Sequence, residues 1–316
     1  MRENKKVQIK SVTVIGGAGF LGRYIVQKLA ANDIRITVAV RNPDSAEFLK
    51  TMSDVGTIKI VKINILNEKS IKDAIKDSDA VINCVGTLKT KAFDNTHVKG
   101  SELIAKAVSS LNIKRFVHIS AVGADKNSNS KYAVTKALGE EKILKNFPNA
   151  VILRPSIMFG AEDKFFNKIA GLSRLSLIMP LFGGGKTKFQ PVYVGDVANA
   201  VTKIGLDPAT IKYEYYGKTY ELGGPKVYTY KELIELTLKY IGRRRLLLPI
   251  PYLFAKLAGM ILQYLPNPII TVDQIKLLKY DFIVNKTALG FKNLDITTTS
   301  VEMIVPEYLK RYSYNG

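Results

Sequence analysis

Short apolar, β-branched runs alternate with longer amphipathic stretches through the first half of the chain. The apolar runs are "VTVIG" (12–16), "IRITVAV" (34–40), "IKIVKI" (58–63), "AVINCV" (80–85), "RFVHIS" (115–120) and "AVILRP" (150–155). Helix-like stretches follow the first five, at 20–32, 43–52, 69–77, 100–111 and 131–146. Strands alternating with helices at this spacing predict βαβ units, and continuous apolar strands are typical of sheets covered on both faces. We therefore expect an α/β fold with a Rossmann-type, doubly wound parallel sheet.

The pattern changes after residue 160, where glycine, proline and tyrosine become frequent. "TYKELIELTLKYIG" (229–242) still predicts a helix, in which Thr229 and Glu232 form a capping box. We expect the sheet to occupy residues 1–160, with later strands contributed from 185–225. A smaller C-terminal α/β lobe for a substrate or partner would then occupy residues 161–316.

A cluster of glycines separates the first predicted strand from the first predicted helix, at positions 16, 17, 19 and 22. Gly16 allows a tight turn, Gly19 lets the backbone approach a pyrophosphate, and Gly22 permits close packing of the helix. The start of the helix, with Phe20 and Leu21, supplies N–H groups for phosphates. Such a turn can also serve packing alone, but the strand before it and the helix after it favour dinucleotide binding. Residues 1–160 are thus predicted to be an NAD(P)-binding Rossmann domain.

The end of the second predicted strand, "TVAVRNPD", bears on the choice between the two nicotinamide cofactors. An acidic residue there bonds the ribose 2′-OH of NAD, whereas an arginine suits the 2′-phosphate of NADP. This chain has Arg41, which follows Gly22 by nineteen positions. We therefore favour NADP(H) over NAD(H), the alternative being an exposed cation that binds nothing.

Several further segments fall in the order found in one superfamily. "YAVTK" (132–136), "LRPSIMFG" (153–160), "FQPVYVGDVA" (189–198) and "YELGGPKVYTYKEL" (220–233) resemble the extended short-chain dehydrogenases/reductases. "HISAVGAD", "FGAEDKFFNKIAGL" (159–172) and the segment 248–281 resemble, more narrowly, the atypical branch that contains the alpha-subcomplex subunit nine of respiratory complex I. That resemblance implies a tightly held NADPH, respiratory complex I subunits as partners, and a role in stability or assembly rather than in turnover.

The same resemblance assigns other positions to the nucleotide. They are Asn64 and Ile65 beside the adenine, Val85 and Gly86 beside the ribose, and Pro155 and Ser156 beside the nicotinamide. At the first of these positions the family more often has aspartate than asparagine.

Tyr132 and Lys136 resemble the catalytic pair of the superfamily, in which a tyrosine hydroxyl exchanges a proton with the substrate oxygen during hydride transfer. A lysine four residues on lies on the same helix face. Its charge would favour the phenolate and its donors would hold the nicotinamide ribose. We therefore expect both residues to bind the cofactor, and to be catalytic if the chain is an enzyme.

Two groups of that superfamily's site are missing from the sequence. Ala121 replaces the serine or threonine that polarises the substrate oxygen, and Ser120 is expected to aim away because strand side chains alternate. His97 in "HVKG" replaces an asparagine; we expect a surface histidine at a helix start, the alternative being a proton relay. Losing one positioned donor typically costs about a hundredfold or more in rate. Whether the chain is an enzyme therefore stays open.

The charge of the chain favours anionic partners. Lys and Arg number 47 against 27 Asp and Glu, a formal charge of +20. This suits phosphates or an anionic membrane, although a solvated basic surface explains it equally well. No groove-reading or base-stacking module is recognisable, so no nucleic acid is expected. With Cys84 as the one cysteine and only two histidines, we expect no disulfide, no metal site and a reducing compartment.

An apolar segment with an arginine triplet, "RRRLLLPIPYLFAKLAGMILQYLPNPII" (243–270), is the last informative stretch. Prolines bracket about fourteen residues, too few to span a bilayer. Between Tyr252 and Leu265 the strongly polar residues are Lys256 and Gln263. A helix so apolar is buried in the core, a partner or a membrane interface. Core burial stays open, and the family resemblance favours an anionic membrane or a partner.

The favoured function is that of an NADPH-binding accessory or assembly protein of respiratory complex I, the NADH:ubiquinone oxidoreductase. The alternative is an active NADP-dependent reductase or epimerase acting on a nucleotide sugar or a lipid-like carbonyl compound. "MRENKKVQIK" lacks the apolar run of a secretory signal, and a strand follows too soon for a transit peptide. We expect the protein in the cytoplasm, peripheral on the cytoplasmic face of the inner membrane.

Overall fold

The computed structural model describes residues 9–207, 215–262 and 271–313. Its strands, in chain order, are β1 (Ser11–Ile15), β2 (Arg35–Val40), β3 (Ile58–Lys62), β4 (Ala80–Asn83), β5 (Arg115–Ile119), β6 (Val151–Pro155), β7 (Met158–Phe159), β8 (Ile178–Phe182), β9 (Lys188–Phe189), β10 (Val192–Tyr193), β11 (Thr219–Leu222), β12 (Tyr228–Thr229) and β13 (Leu246–Ile250). Its α-helices are α1 (Phe20–Ala30), α2 (Glu68–Ile75), α3 (Gly100–Ser110), α4 (Lys131–Asn146), α5 (Phe166–Leu175), α6 (Val194–Leu206), α7 (Tyr230–Tyr240), α8 (Tyr252–Leu262), α9 (Val272–Leu277) and α10 (Val301–Leu309).

A parallel sheet in the order β11-β6-β5-β4-β1-β2-β3 forms the centre of the described structure. From β1 the chain runs outward through β2 to β3, and it then returns to add β4 on the other side of β1. The strand order therefore reverses between β1 and β4, which is where α/β folds of this kind bind ligands. The predicted Rossmann-type doubly wound sheet is confirmed.

Helices cover both faces of the sheet because successive strand side chains point to opposite faces. In β1, Val12 and Val14 pack with α1 and α6, whereas Ile15 packs on the other face with α2 and α3. All of these strand residues are buried. This two-sided burial explains the continuous apolar runs in the sequence.

The later part of the chain forms smaller clusters beside the sheet. Helices α5, α7 and α10 share one apolar core, and α8 and α9 pack together in another. β13 pairs in parallel with β8. The predicted capping box of α7 is confirmed, with the Thr229 hydroxyl accepting from the Glu232 N–H and the Glu232 carboxylate accepting from the Thr229 N–H. The division of the chain at residue 160 stays a prediction.

Candidate functional site

The predicted nucleotide-binding residues of the loops follow the carboxyl ends of neighbouring strands. The first such residue after each of β1 to β4 and β6 is, in that order, Gly16, Arg41, Asn64, Val85 and Ser156. Ala121 lies close behind β5. Because these strands are parallel and adjacent, the residues lie along one edge of the sheet. α4, which carries Tyr132 and Lys136, begins in the loop that leaves β5 at this edge.

The glycine turn after β1 has the geometry of a phosphate cradle. Gly16 adopts a φ of +81°, which disfavours any other residue, and its carbonyl oxygen accepts from the Gly19 N–H at 3.0 Å. A Cβ on Gly22 would lie 2.5 Å from the Gly16 oxygen. α1 starts directly behind the turn, and no side chain of the described residues caps its first N–H groups. The start of α1, with Phe20 and Leu21, therefore presents donors to an anion.

Arg41 and Asn64 follow β2 and β3, on the adenine side of the predicted nucleotide. Arg41 is exposed, and its guanidinium bonds to no described residue. Asn64 is also exposed, but its Oδ1 accepts from the Leu66 N–H at 3.0 Å, which closes a local turn beside Ile65. The Arg41 donors are therefore available to a phosphate, whereas Asn64 has already used one of its polar atoms.

The ribose side of the edge is open. A Cβ added to Gly86 would meet no atom within 4 Å, and Val85 lies against Gly16, whose added Cβ would be 3.3 Å from the Val85 side chain. The Val85 N–H donates to Asn83 Oδ1 at 3.1 Å, which holds the loop after β4. Val85 therefore lies against the glycine turn, and the placement of Val85 and Gly86 beside the ribose stays a prediction.

His97 corrects one expectation from the sequence. It is 2% exposed rather than a surface residue, and it lies on a π-helical turn, Asp94–Lys99, that leads into α3. Its Nε2 accepts from the Thr87 N–H at 3.2 Å, so the proton is on Nδ1, which lies 3.0 Å from the Thr135 hydroxyl oxygen. Burial, with a further effect from Lys136, lowers the pKa of His97 to about 3. Both nitrogens of this neutral ring form hydrogen bonds within the protein, so His97 is a buried residue and not a surface histidine.

Tyr132 and Lys136 lie one turn apart near the start of α4. The Lys136 side chain is 4% exposed and donates from Nζ to the carbonyl oxygen of Ile119 at 2.8 Å. Burial lowers the pKa of Lys136 to about 8. The ring of Tyr132 stands edge-on to Phe93 and His97, and burial raises its pKa to about 12. The expected lowering of the tyrosine pKa by lysine is therefore absent from this arrangement.

The remaining reaction-side positions offer few free polar groups. The Ser156 hydroxyl donates to the Phe282 carbonyl oxygen at 2.9 Å, and Pro155 accepts the Val122 N–H at 3.0 Å. Ser120 is 5% exposed, and its hydroxyl has no partner among the described residues. Ala121 contributes no donor. Where active members of the superfamily keep a hydroxyl, this chain has a methyl group.

One residue that the sequence did not single out contacts the start of α4. Asp273, on α9, accepts hydrogen bonds from the Lys131 and Tyr132 N–H groups at 2.8 and 3.2 Å. Asp273 lies more than 140 positions away from Lys131 and Tyr132 in the chain, so no local sequence pattern predicts the contact. α9 thus contacts the start of the helix that carries Tyr132 and Lys136.

The apolar segment after the arginine triplet is exposed in its described part. On α8, Leu253, Phe254, Leu257 and Ile261 form a stripe at helical spacing, and their exposures run from 48% to 75%. Only Ala255 and Gly259 of this helix are buried. Core burial is therefore wrong for 243–262, and 263–270 lies outside the described residues. None of the helices described here has the length and apolar character needed to cross a bilayer.

Comparisons with known proteins agree with this geometry. The model of the NAD dependent epimerase/dehydratase family matches residues 12–223. The mitochondrial 40 kDa subunit of NADH-ubiquinone oxidoreductase from Neurospora crassa is 33% identical, over 97% of this chain and 80% of that protein. The mitochondrial NADH dehydrogenase [ubiquinone] 1 alpha subcomplex subunit 9 of Arabidopsis thaliana is 36% identical, over 96% of this chain and 78% of its own. The structure of dTDP-glucose 4,6-dehydratase from Bacillus anthracis in complex with NAD superposes with a TM-score of 0.71 over 96% of both chains, at 18% identity.

Proposed function

The chain belongs to the NAD dependent epimerase/dehydratase family and to the group within it that includes complex I alpha subcomplex subunit 9, and on this premise we propose that it is an NADP(H)-binding accessory or assembly protein of respiratory complex I. One observation carries the proposal. At a single sheet edge the nucleotide side is open and suited to phosphate, whereas the reaction side lacks its donor at Ala121. The protein would therefore hold its nucleotide with little or no turnover.

The adenine half of the nucleotide and the pyrophosphate would lie on the side of the edge that follows β1, β2 and β3. The pyrophosphate would lie on the turn formed by Gly16, Gly19 and Gly22, which a side chain would fill, and on the start of α1. Arg41 would take the 2′-phosphate of NADP(H), because its guanidinium is exposed and bonded to no described residue. Asn64 and Ile65 would lie beside the adenine.

The nicotinamide half would lie further along the edge, towards β6. Val85 and Gly86 would line its ribose, Lys136 would donate to the ribose hydroxyls with its remaining ammonium protons, and Tyr132, Pro155 and Ser156 would surround the ring. Bound nicotinamide can give or accept a hydride. In this chain its main effect would be structural, since a ligand that binds only the folded protein stabilises it.

Efficient reduction is disfavoured by the groups that would have to move a proton. A tyrosine whose pKa is about 12 is a weak acid, so it donates its proton poorly to a substrate oxygen at neutral pH. Neither Ala121 nor the fully engaged His97 can polarise a substrate oxygen. A missing donor of this kind costs about a hundredfold or more in rate.

The exposed stripe on α8 would be the surface that meets the membrane. Leu253, Phe254 and Ile261 face solvent, and the exposed cations Arg244 and Lys256 lie nearby in the chain. Apolar side chains beside cations suit an anionic bilayer surface, to which each cation contributes about 1 kcal/mol. We therefore place the protein at the periphery of the inner membrane, on its cytoplasmic face, beside complex I subunits, and expect no nucleic-acid partner.

Denaturing the purified protein and identifying released nucleotide by mass tests the nucleotide assignment, and NADPH is expected. Purifying a tagged chain from its own host and identifying copurified proteins by mass tests the partner assignment. Respiratory complex I subunits are expected, and their amount should fall when Arg41 is replaced. Release of no pyridine nucleotide, or purification free of these subunits, would refute the proposal.

A second function, an active NADP-dependent reductase or epimerase for a nucleotide sugar or a lipid-like carbonyl compound, is favoured by the intact pair Tyr132 and Lys136. Substrate-dependent NADPH oxidation that disappears in Tyr132→Phe would establish it. Oxidation that is absent, or unchanged in that variant, would leave the accessory role.

A further inference from the structure

The first turn of α4 is capped both locally and from another part of the chain. Ser130 is the N-cap residue: its hydroxyl oxygen accepts from the Ala133 N–H at 3.5 Å, and its hydroxyl donates to Asp273 Oδ2 at 2.9 Å. The N–H groups of Lys131 and Tyr132 donate to the same carboxylate. A carboxylate at a helix N-terminus is favourable because it meets unpaired N–H groups and the positive end of the helix dipole.

Asp273 is itself held in place by α9. Thr271 and Gln274 form a capping box that fixes the first turn of this helix. Ile275, one turn further, is buried against α8, where a Cβ on Gly259 would lie 2.7 Å from its Cδ1 atom. The carboxylate therefore reaches α4 from a helix with little freedom to move, and it fixes where α4 begins.

The position of α4 matters because its first turns carry the groups assigned to the nicotinamide half. Tyr132 directly follows the first helical residue, and Lys136 lies one turn on, bonded to the end of β5. The glycine turn and Arg41 belong to other strands and have no contact with Asp273. Movement of α4 would therefore disturb one half of the nucleotide and leave the other in place.

We propose that Asp273 is a positioning residue, which sets α4 so that Tyr132 and Lys136 meet the nicotinamide half of the bound nucleotide. This inference rests on the proposed nucleotide binding. It adds a contribution from the C-terminal lobe to a site otherwise built by the Rossmann domain. It also places the residue between the nucleotide and α8, the helix that carries the exposed apolar stripe.

The test compares two probes, NADPH and 2′,5′-ADP, by fluorescence and calorimetric titration of the nucleotide-free full chain. The second probe has only the adenine half. In Asp273→Ala we expect the dissociation constant for NADPH to rise about tenfold, because a lost helix cap has about that effect, and the constant for 2′,5′-ADP to stay within about twofold. Asp273→Asn keeps one acceptor oxygen, so its dissociation constant for NADPH should fall between those of wild type and Asp273→Ala.

Asp281→Ala is the matched control, since Asp281 also lies in the C-terminal lobe and accepts a backbone N–H, that of Lys188, but does not touch α4. It should change neither constant. Equal weakening of both probes in Asp273→Ala would mean general destabilisation, and an unchanged constant for NADPH would mean no role; either result overturns the inference. A wild-type chain that binds neither probe would instead refute the proposed function.

Discussion

The imidazole of His97 stands at 89° to the ring of Tyr132, with the two ring centroids 5.5 Å apart. Edge-to-face contacts of this kind stabilise aromatic pairs beyond their buried area. The same imidazole joins the Thr87 N–H, after β4, to the Thr135 hydroxyl on α4. His97 therefore holds the loop and the helix on either side of the predicted nicotinamide site, which is a structural task.

This arrangement predicts a specific loss of stability in acid. The pKa of His97 is about 3 in the folded protein, against about 6.5 when unfolded, so protons bind the unfolded chain first. The contribution of the neutral ring is complete above pH 6.5 and falls as the pH drops towards 3, by at most about 1.4 kcal/mol per pH unit. Urea unfolding of wild type and of His97→Asn between pH 4 and 8 measures this contribution. The free energy of unfolding should fall more steeply with decreasing pH in wild type than in the variant; parallel pH dependences would contradict this.

Gly22→Ala should damage both folding and nucleotide binding. Its Cβ would lie 2.5 Å from the Gly16 carbonyl oxygen, so the turn or α1 must shift. We expect a loss of about 1–3 kcal/mol in the free energy of unfolding, together with weaker NADPH binding. Gly171→Ala is the control, because no atom lies within 4 Å of its Cβ, on α5. It should gain about 0.5–1 kcal/mol and bind normally. Normal NADPH binding by Gly22→Ala would count against the phosphate turn.

Local patterns were sufficient to predict the sheet and its glycine turn. The predicted helix 131–146 and the strand 58–63 match α4 and β3 at their ends to within one residue. The reason is that apolar runs, glycines and N-caps act within a few residues of one another. One stretch differs, since 43–52 forms tight 3-10 turns rather than an α-helix, beginning with the Ala46 N–H bonded to the Pro43 oxygen.

What the sequence could not predict depends on contacts between distant segments. A lone histidine before a helix looks exposed, and only the packing of Phe93, Tyr132 and α4 around it buries His97. The bond of Lys136 to the end of β5 is likewise a tertiary contact, and so is the cap that Asp273 supplies. The raised pKa of Tyr132 follows from this packing, and the four-residue spacing of Tyr132 and Lys136 in the sequence does not predict it.

Arg41→Asp should lower the affinity for NADPH far more than that for NADH. The substitution removes the free guanidinium after β2 and places a carboxylate where the 2′-phosphate would lie. We expect NADPH to bind at least about tenfold more weakly, since charge-assisted pairs with phosphate are strong. Arg35→Asp makes the same charge change at the opposite end of β2 and should leave both affinities unchanged. Equal effects of the two variants would show that only net charge matters.

Lys136→Met should stabilise the nucleotide-free protein while weakening its hold on the nucleotide. Burial disfavours the charged ammonium, which is why the pKa of Lys136 is about 8 in the folded protein. Between pH 8 and the unfolded pKa of about 10.5, Lys136 is protonated more often in the unfolded chain than in the folded one. Wild-type stability should therefore rise with pH over this range, whereas the variant should lack the rise and be up to about 3 kcal/mol more stable at pH 7. Thermal melts at pH 7 to 10, with and without NADPH, measure both effects. A variant that is less stable at pH 7 would contradict the argument.

The exposed apolar stripe on α8 predicts binding to anionic vesicles, to which apolar area and charge contribute separately. Wild type should sediment with vesicles of phosphatidylcholine that contain phosphatidylglycerol, and less with vesicles of phosphatidylcholine alone. Leu253→Glu removes an apolar side chain that is 66% exposed and adds repulsion from the lipid, so its binding should fall at least about tenfold in any salt. Arg244→Glu should weaken binding strongly in low salt and little in high salt, because salt screens exposed charges. Met303→Glu, at a 68% exposed position on α10, adds the same charge elsewhere and should bind as wild type does, allowing for its small effect on net charge. If Met303→Glu lost binding as fully as Leu253→Glu, the attraction would belong to the whole basic protein and α8 would have no special part in it.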